Sequence, residues 1–340
     1  MRVGVIGTGA ISYKHALAYK NIGFPITACT NRTADVGRRF AEATGAEFVD
    51  SVESLCRRHD VDFVDVCTSP SYRLQAVELC ASAGKHVIVQ KPMAIDLESA
   101  QQMIDTAKAG RIQLAVMSSS RFLDSISFLR KAILADRLGK ILQADAYIKW
   151  YRPAEYYNRP HKGTWNGEGG GALINQGIHC ADLLLYLAGA VTEVFGFWQI
   201  GSTHSIESED SISAVLRYAS GATGVIQAST SIWPGYAERL EISGTKGTAM
   251  VTGGSLTTWD VLNDAGEDAP ITSTGSSGAS DPMAISVLPF ERQFLDFAVA
   301  CDTGTGPLCS GDDGYRALQL VTRIYDSCRQ GSSIRIESRL

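Results

Sequence analysis

Two short segments carry side chains that could do chemistry together. Gly169-Gly170-Gly171-Ala172-Leu173-Ile174-Asn175-Gln176-Gly177-Ile178-His179-Cys180-Ala181-Asp182 sets Asn175, His179 and Asp182 at i, i+4 and i+7 of an otherwise apolar helix. That spacing puts them on one face. Leu173, Ile174, Ile178, Leu183 and Leu184 supply the core side. A histidine poised near neutral pH can take a proton from a substrate hydroxyl while hydride leaves the carbon. Asn175 could orient the hydroxyl. Asp182 could hold the imidazole tautomer or stand as an ordinary solvated helix acid. The second segment, Val87-Ile88-Val89-Gln90-Lys91-Pro92-Met93, ends a buried strand with a lysine fixed by a proline. Ligands of open α/β sheets bind at the carboxyl ends of strands, so Lys91 is the second candidate for managing that proton.

A third segment points to a cofactor. In Val3-Gly4-Val5-Ile6-Gly7-Thr8-Gly9-Ala10-Ile11-Ser12 an apolar run breaks into glycines with GxGxx spacing and a small residue last. Gly7 permits a tight turn, Gly9 lets backbone approach a pyrophosphate, and Ser12 allows close helix–strand contact. Ala10 and Ile11 lead into a helix whose N–H groups and positive dipole end favour phosphate. An NAD site usually offers a carboxylate at the end of the second strand. Here that place reads Thr30-Asn31-Arg32-Thr33. Asn31 can bond a ribose hydroxyl, and Arg32 could pair with a 2′-phosphate or stack on adenine. The missing acid favours NADP over NAD.

The elements that must position these groups divide the chain in two. Strands over 2–6, 26–30, 61–68, 86–90 and 112–117 lack polar alternation and are separated by helices over 12–21, 34–43, 51–59, 71–83 and 97–109. This is the pattern of a doubly wound parallel sheet covered on both faces. Residues 1–120 are therefore expected to form a dinucleotide-binding Rossmann domain. From 121 onward the pattern changes to long alternating strands. Hairpins are expected at Ser220-Gly221 and at Gly244-Thr245-Lys246-Gly247. Residues 121–340 read as an α+β domain for substrate binding and oligomerisation, with an open, mainly antiparallel sheet and helices on one face. The closing helix, 313–329, could turn back onto the first domain. Helices are also expected over 124–138 and 291–301. Residues 266–282, rich in Gly, Ser, Thr and Asp, read as a plain loop, with a lid as the alternative.

Composition narrows the function classes. The chain has 340 residues, long enough for two cores, with a net charge of −5. That balance argues against a nucleic-acid binder relying on a broad basic surface. No stretch has the length of a membrane span or the form of a secretory leader. The eight cysteines, without CxxC spacing, read as buried free thiols of a reducing cytoplasm. No histidine–carboxylate spacing resembles a metal site. Tyr151, Arg152, Tyr156, Tyr157, Arg159, His161, Lys162 and Trp165 form an aromatic and basic cluster before the helix of His179. Aromatic faces suit sugar C–H surfaces and arginine suits a carboxylate or phosphate, so Tyr151, Arg152, Tyr157 and Trp165 are substrate candidates. Arg121, beside Phe122, could touch the nicotinamide or the substrate.

These residues together resemble the Gfo/Idh/MocA family of glucose–fructose oxidoreductase, inositol dehydrogenase and MocA-like proteins. The likeness covers nearly the whole chain. It includes the glycine turn, Ser69-Pro70, Gly84-Lys85-His86-Val87, Gln90-Lys91-Pro92, the 169–182 segment, Glu241-Ile242-Ser243-Gly244-Thr245-Lys246-Gly247 and the helix over 314–327. The resemblance implies a hydride transfer between NAD(P) and a ring carbon of a sugar, sugar acid or cyclic polyol. It implies that Lys91 hydrogen-bonds the reacting oxygen, that His179 is the general acid and base, and that Thr68, Ser69, Pro70 and Gln90 line the cofactor. Asn175 stands where many members have aspartate, which removes a proton acceptor there. Gln90 stands where most have glutamate, which removes a negative charge beside Lys91. Leu74 replaces a common histidine. Two rival expectations use the same fold: glycoside hydrolysis with a tightly held NAD, and a non-catalytic cofactor sensor. An open sheet face of this size would invite aggregation, so a homodimer or homotetramer is expected to bury it.

Overall fold

Runs such as Val3-Gly4-Val5-Ile6 are apolar on both faces of a strand and must be covered on both. In the computed structural model, which describes residues 1–159, 161–264, 268–272 and 286–337, they build an all-parallel sheet. Its strands are β1 (Val3–Ile6), β2 (Ile26–Thr30), β3 (Glu47–Phe48), β4 (Phe63–Val66), β5 (His86–Val89) and β6 (Leu114–Val116). Their spatial order is β3-β2-β1-β4-β5-β6. The order reverses between β1 and β4, the switch point at which such sheets open a crevice at their carboxyl edge. The crossovers carry α1 (Ala10–Asn21), α2 (Ala34–Thr44), α3 (Val52–Cys56), α4 (Arg73–Ser82) and α5 (Leu97–Ala109). Local chemistry sets their ends: Asp96 accepts from Ser99 N at 2.7 Å, Ser51 accepts from Ser54 N at 3.1 Å, and Gly45 closes α2 in the left-handed region.

The chain divides into two units, Met1–Ser119 with Val287–Tyr315, and Ser120–Ser286 with Arg316–Leu340. The sequence division at 120 does not anticipate that the helix Leu288–Thr303 belongs to the first unit. The reason is its apolar stripe. Phe290, Phe294 and Phe297 at i, i+4 and i+7 enter the core of the parallel sheet, where Phe294 stacks on Tyr19 at 4.1 Å and Phe297 meets Phe63 edge-on at 5.3 Å. The helix Gly311–Gln330 starts in the first unit and continues in the second.

The second unit is built on an eight-stranded sheet in the order β13-β12-β11-β7-β10-β9-β8-β14. The strands are β7 (Ile141–Lys149), β8 (Val191–Ile200), β9 (Glu209–Tyr218), β10 (Thr223–Ser229), β11 (Arg239–Gly244), β12 (Gly247–Thr252), β13 (Ser255–Val261) and β14 (Ile334–Arg335). Among the described residues β7 and β10 pair in parallel and every other pair is antiparallel. Both expected hairpins form, and β13 extends the sheet beyond the second. Period-two patterning decides the faces. On β9, Ile212, Ala214 and Leu216 point into the core while Ser213, Val215 and Arg217 point out. The covered face carries α8 (Ile178–Ala188) against β7 and α6 (Asp124–Leu134) against β12 and β13, while α7 (Trp165–Glu168) is a single short turn. The other face is open, and Gln143, Tyr147, Phe195, Val215 and Val225 line a shallow cavity of about 580 Å³ on it. The helix expected over 124–138 stops at Leu134, and most of the loop expected over 266–282 lies outside the described residues.

Candidate active site

In the first unit the glycine turn has the conformation its sequence requires. Gly7 has φ +87°, and a Cβ there would lie 2.9 Å from Thr68 N. Gly9 differs: a Cβ there would meet nothing within 4 Å, so the backbone faces open space. Ser12, fully buried, donates to Gly9 O at 2.6 Å. Asn31 ties the end of β2 to the turn by accepting from Thr8 N at 3.2 Å. No side chain caps α1, and its first turn carries no acid. Open backbone, an uncapped positive helix end and no competing carboxylate fit a pyrophosphate. Arg32 is exposed at the end of β2, 3.2 Å from Tyr72 Oη. Gly9→Val is expected to leave the melting temperature within about 2 °C of native while weakening NAD(P) binding at least about tenfold, because the new side chain occupies ligand space and not protein space. Differential scanning fluorimetry and a cofactor titration read the two effects, and equal binding would refute the assignment.

At the end of β5, Gln90 is buried and Lys91 half-buried, and the Lys91–Pro92 peptide is cis. Gln90 does more than omit a charge. Its Oε1 accepts from Lys91 N at 3.2 Å, and its Nε2 lies 2.7 Å from His15 Nε2. His15 Nδ1 lies 2.6 Å from Asp65 Oδ2, which also accepts from Tyr19 Oη at 2.9 Å. With Nδ1 donating to the carboxylate, a neutral His15 presents Nε2 as the acceptor that an amide N–H can use. Sequence spacing had suggested no metal site, yet His15, Asp65 and Cys67 bring their ligand atoms within 4.8 Å of one another. Those atoms bond one another: Cys67 Sγ donates to Asp65 Oδ1 at 3.3 Å.

In the second unit the triple glycine feeds a buried carboxylate. Gly171 N and Leu173 N each donate 2.8 Å to Glu209, and Tyr325 Oη donates to it at 2.7 Å. Burial pushes the Glu209 carboxyl up to about 7 against these three donors. The segment that follows is not one regular helix. Leu173–Gly177 is a π-helical turn, after which α8 runs from Ile178 to Ala188. The polar trio therefore divides among partners. Asn175 Nδ2 donates to Glu168 Oε2 at 3.2 Å, and Glu168 Oε1 holds Lys162 Nζ at 2.5 Å. Burial alone would lower the Lys162 ammonium's pKa, but Tyr156 and Glu168 hold it above the ordinary lysine value. Asp182 is taken by Arg121 in a buried two-point pair of 2.8 and 2.6 Å. The Arg121 guanidinium also covers Tyr186 at 4.6 Å. His179 stands half-buried in the first turn of α8.

The aromatic and basic cluster sorts by burial. Arg152 is only 4% exposed and lies against Trp150 and Tyr156. Trp165 packs on Trp198 and Tyr325 and donates to Glu207 O at 3.1 Å. Tyr157 Oη meets Thr230 Oγ1 at 2.7 Å, while Tyr151, half-buried, lies edge-on to the exposed Trp233. Sequence reasoning missed Glu168, Gln176 and Glu209. Gln176 Nε2 donates to Tyr156 Oη at 3.0 Å. The available signal for Glu209 was an acid pair, Glu209-Asp210, opening an otherwise apolar-alternating strand. None of the eight cysteines is in a disulfide, and among the described residues no helix is long and apolar enough to cross a membrane.

Two family models match the chain. A model described as the oxidoreductase family with NAD-binding Rossmann fold matches residues 1–118, and one for the GFO/IDH/MocA C-terminal domain matches residues 126–250. Myo-inositol 2-dehydrogenase of Thermotoga maritima is 28% identical, with 99% of each chain covered. The 1,5-anhydro-D-fructose reductase of Ensifer adhaerens is 26% identical over 100% of this chain and 99% of its own. Among solved structures, the WlbA dehydrogenase from Bordetella pertussis in complex with NADH and UDP-GlcNAcA is 26% identical, covers 99% of both chains and superposes with a TM-score of 0.88. With models of this family matching residues 1–118 and 126–250 and relatives matched from end to end, the chain belongs to the Gfo/Idh/MocA family of oxidoreductases.

Proposed function

We propose that the protein moves a hydride between NAD(P) and a ring carbon of a sugar, sugar acid or cyclic polyol. The observation that carries this reading is the open backbone at Gly9 beside the uncapped, acid-free start of α1. The bound nicotinamide supplies the hydride acceptor or donor. Lys91 hydrogen-bonds the reacting oxygen and stabilises charge on it. His179 takes the hydroxyl proton in oxidation and returns it in reduction. Asn175, steadied by Glu168, orients that hydroxyl and cannot itself accept the proton. Thr68, Ser69, Pro70 and Gln90 line the cofactor, and Tyr151, Arg152, Tyr157 and Trp165 contribute to the substrate site. Arg121 anchors α8 through Asp182. Arg32 at the end of β2, with no acid beside it until Asp35, favours NADP over NAD. Eight free thiols suit a cytoplasmic enzyme.

The test is a screen of purified protein against sugars, uronic acids and inositols with NADP and NAD in parallel. Reduced cofactor is expected with at least one of them, and faster with NADP. Tight cofactor binding with no turnover anywhere would support the sensor reading instead.

The open sheet face, with Phe197 69% and Val215 53% exposed, supports a homodimer or homotetramer that buries it. Val215→Glu is expected to yield a smaller species in sedimentation velocity, and a native chain that is already monomeric would contradict the assembly.

A further inference from the structure

Arg73 is an unusual buried cation. It is the first residue of α4, and only 3% of it is exposed. Among the described residues no carboxylate forms an ion pair with it. Its partners are backbone carbonyls. Nε and Nη2 donate to Thr68 O at 3.0 and 2.6 Å, and Nη1 donates to both Gln90 O and Pro92 O. Burial pulls the guanidinium down to about 9. Burying a charge without an ion-pair partner is costly, the Asp65 carboxylate offsets only part of that cost, and the planar fork of arginine is the side chain that can serve three fixed carbonyls at once.

Those carbonyls are not scattered. Gln90 O and Pro92 O flank Lys91, and Thr68 O lies just beyond the carboxyl end of the neighbouring strand β4. Lys91 N donates to Gln90 Oε1, Gln90 N donates to Val66 O at 3.0 Å, and the Gln90 amide rests in turn on His15, which Asp65 holds. The main chain on both sides of Lys91 is thus held, and Arg73 supplies two of the four restraints. From this juxtaposition we propose that Arg73 is a positioning residue for Lys91, fixing the direction in which the ammonium leaves the β5 turn. The proposal rests on the proton-handling role proposed for Lys91. It uses no contact between Arg73 and substrate or cofactor.

Two variants test it, with Lys91→Ala as reference. Arg73→Lys keeps the charge and most of the volume but cannot fork. Arg73→Gln removes the buried charge and its desolvation penalty while keeping a donor. In each, the cofactor dissociation constant and substrate KM are expected within about threefold of native, while kcat falls about 10- to 100-fold and its pH dependence shifts, as for a misplaced catalytic group. Native kcat and pH dependence in either folded variant would overturn the proposal. So would a kcat loss matched by an equal loss of cofactor affinity, which marks general damage to the unit. If Lys91→Ala keeps native turnover, the role of Lys91 is wrong and that of Arg73 falls with it. If Lys91→Ala is inactive while the Arg73 variants are native, only the positioning inference is wrong.

Discussion

Lys91→Ala and His179→Ala are each expected to lower kcat by about 10²- to 10⁴-fold, the range a single positioned acid–base group supplies. The dissociation constant for NAD(P) is expected to change by less than about threefold, because neither residue belongs to the glycine turn that receives the phosphates. The two losses should combine less than additively, since both side chains serve one proton transfer. Steady-state kinetics and a fluorescence titration of the cofactor measure these quantities. Turnover within about threefold of native in either variant would remove that residue from the chemistry.

Gly171→Ala is expected to produce the largest effect away from the reacting groups. A Cβ at Gly171 would lie 1.9 Å from the carbonyl oxygen of Glu209. The Cβ position is fixed by the Gly171 backbone and the oxygen is main chain, so no rotamer change relieves the contact. Overpacking of this kind destabilises by about 1–3 kcal/mol. The displacement also reaches function, because Gly171 N and Leu173 N are what Glu209 grips, and Asn175 and His179 follow within eight residues of Gly171. A shift of about 1 Å at a reacting group costs about 10²-fold in rate. Gly306→Ala is the control, since a Cβ there meets nothing within 4 Å. Thermal melts and turnover of the two variants compare directly, and equal behaviour would show that the Glu209 latch does not hold the helix.

The parts legible in the sequence are those whose cause is local. The glycine turn, the Asp96 and Ser51 caps and the apolar parallel strands depend on a few neighbouring residues, and the structure follows them closely. Where the determinant is a distant partner, pattern gives no purchase. The parallel pairing of β7 with β10 joins strands separated in sequence by β8 and β9, and no hairpin rule announces it. An i, i+4, i+7 reading assumes 3.6 residues per turn, but the π-helical turn at Leu173–Gly177 breaks that period, so Asn175 answers to Glu168 while Asp182 answers to Arg121. Arg73 and Glu209 look like surface charges in sequence. Only the carbonyls around one and the amides around the other show why each is buried. The helix over 291–301 is legible, but not the parallel sheet that receives Phe290, Phe294 and Phe297.

Deuterium placed at the transferable C4 position of NADPH or NADH tests the chemistry most directly. The labelled cofactor is incubated with the ketone of the sugar or polyol found in the screen, and the product is read by mass spectrometry. Hydride transfer predicts that the label appears on the new ring C–H of the product and leaves the cofactor in equal amount. A product without label, or label retained in the cofactor while sugar is released from a glycoside, would contradict it.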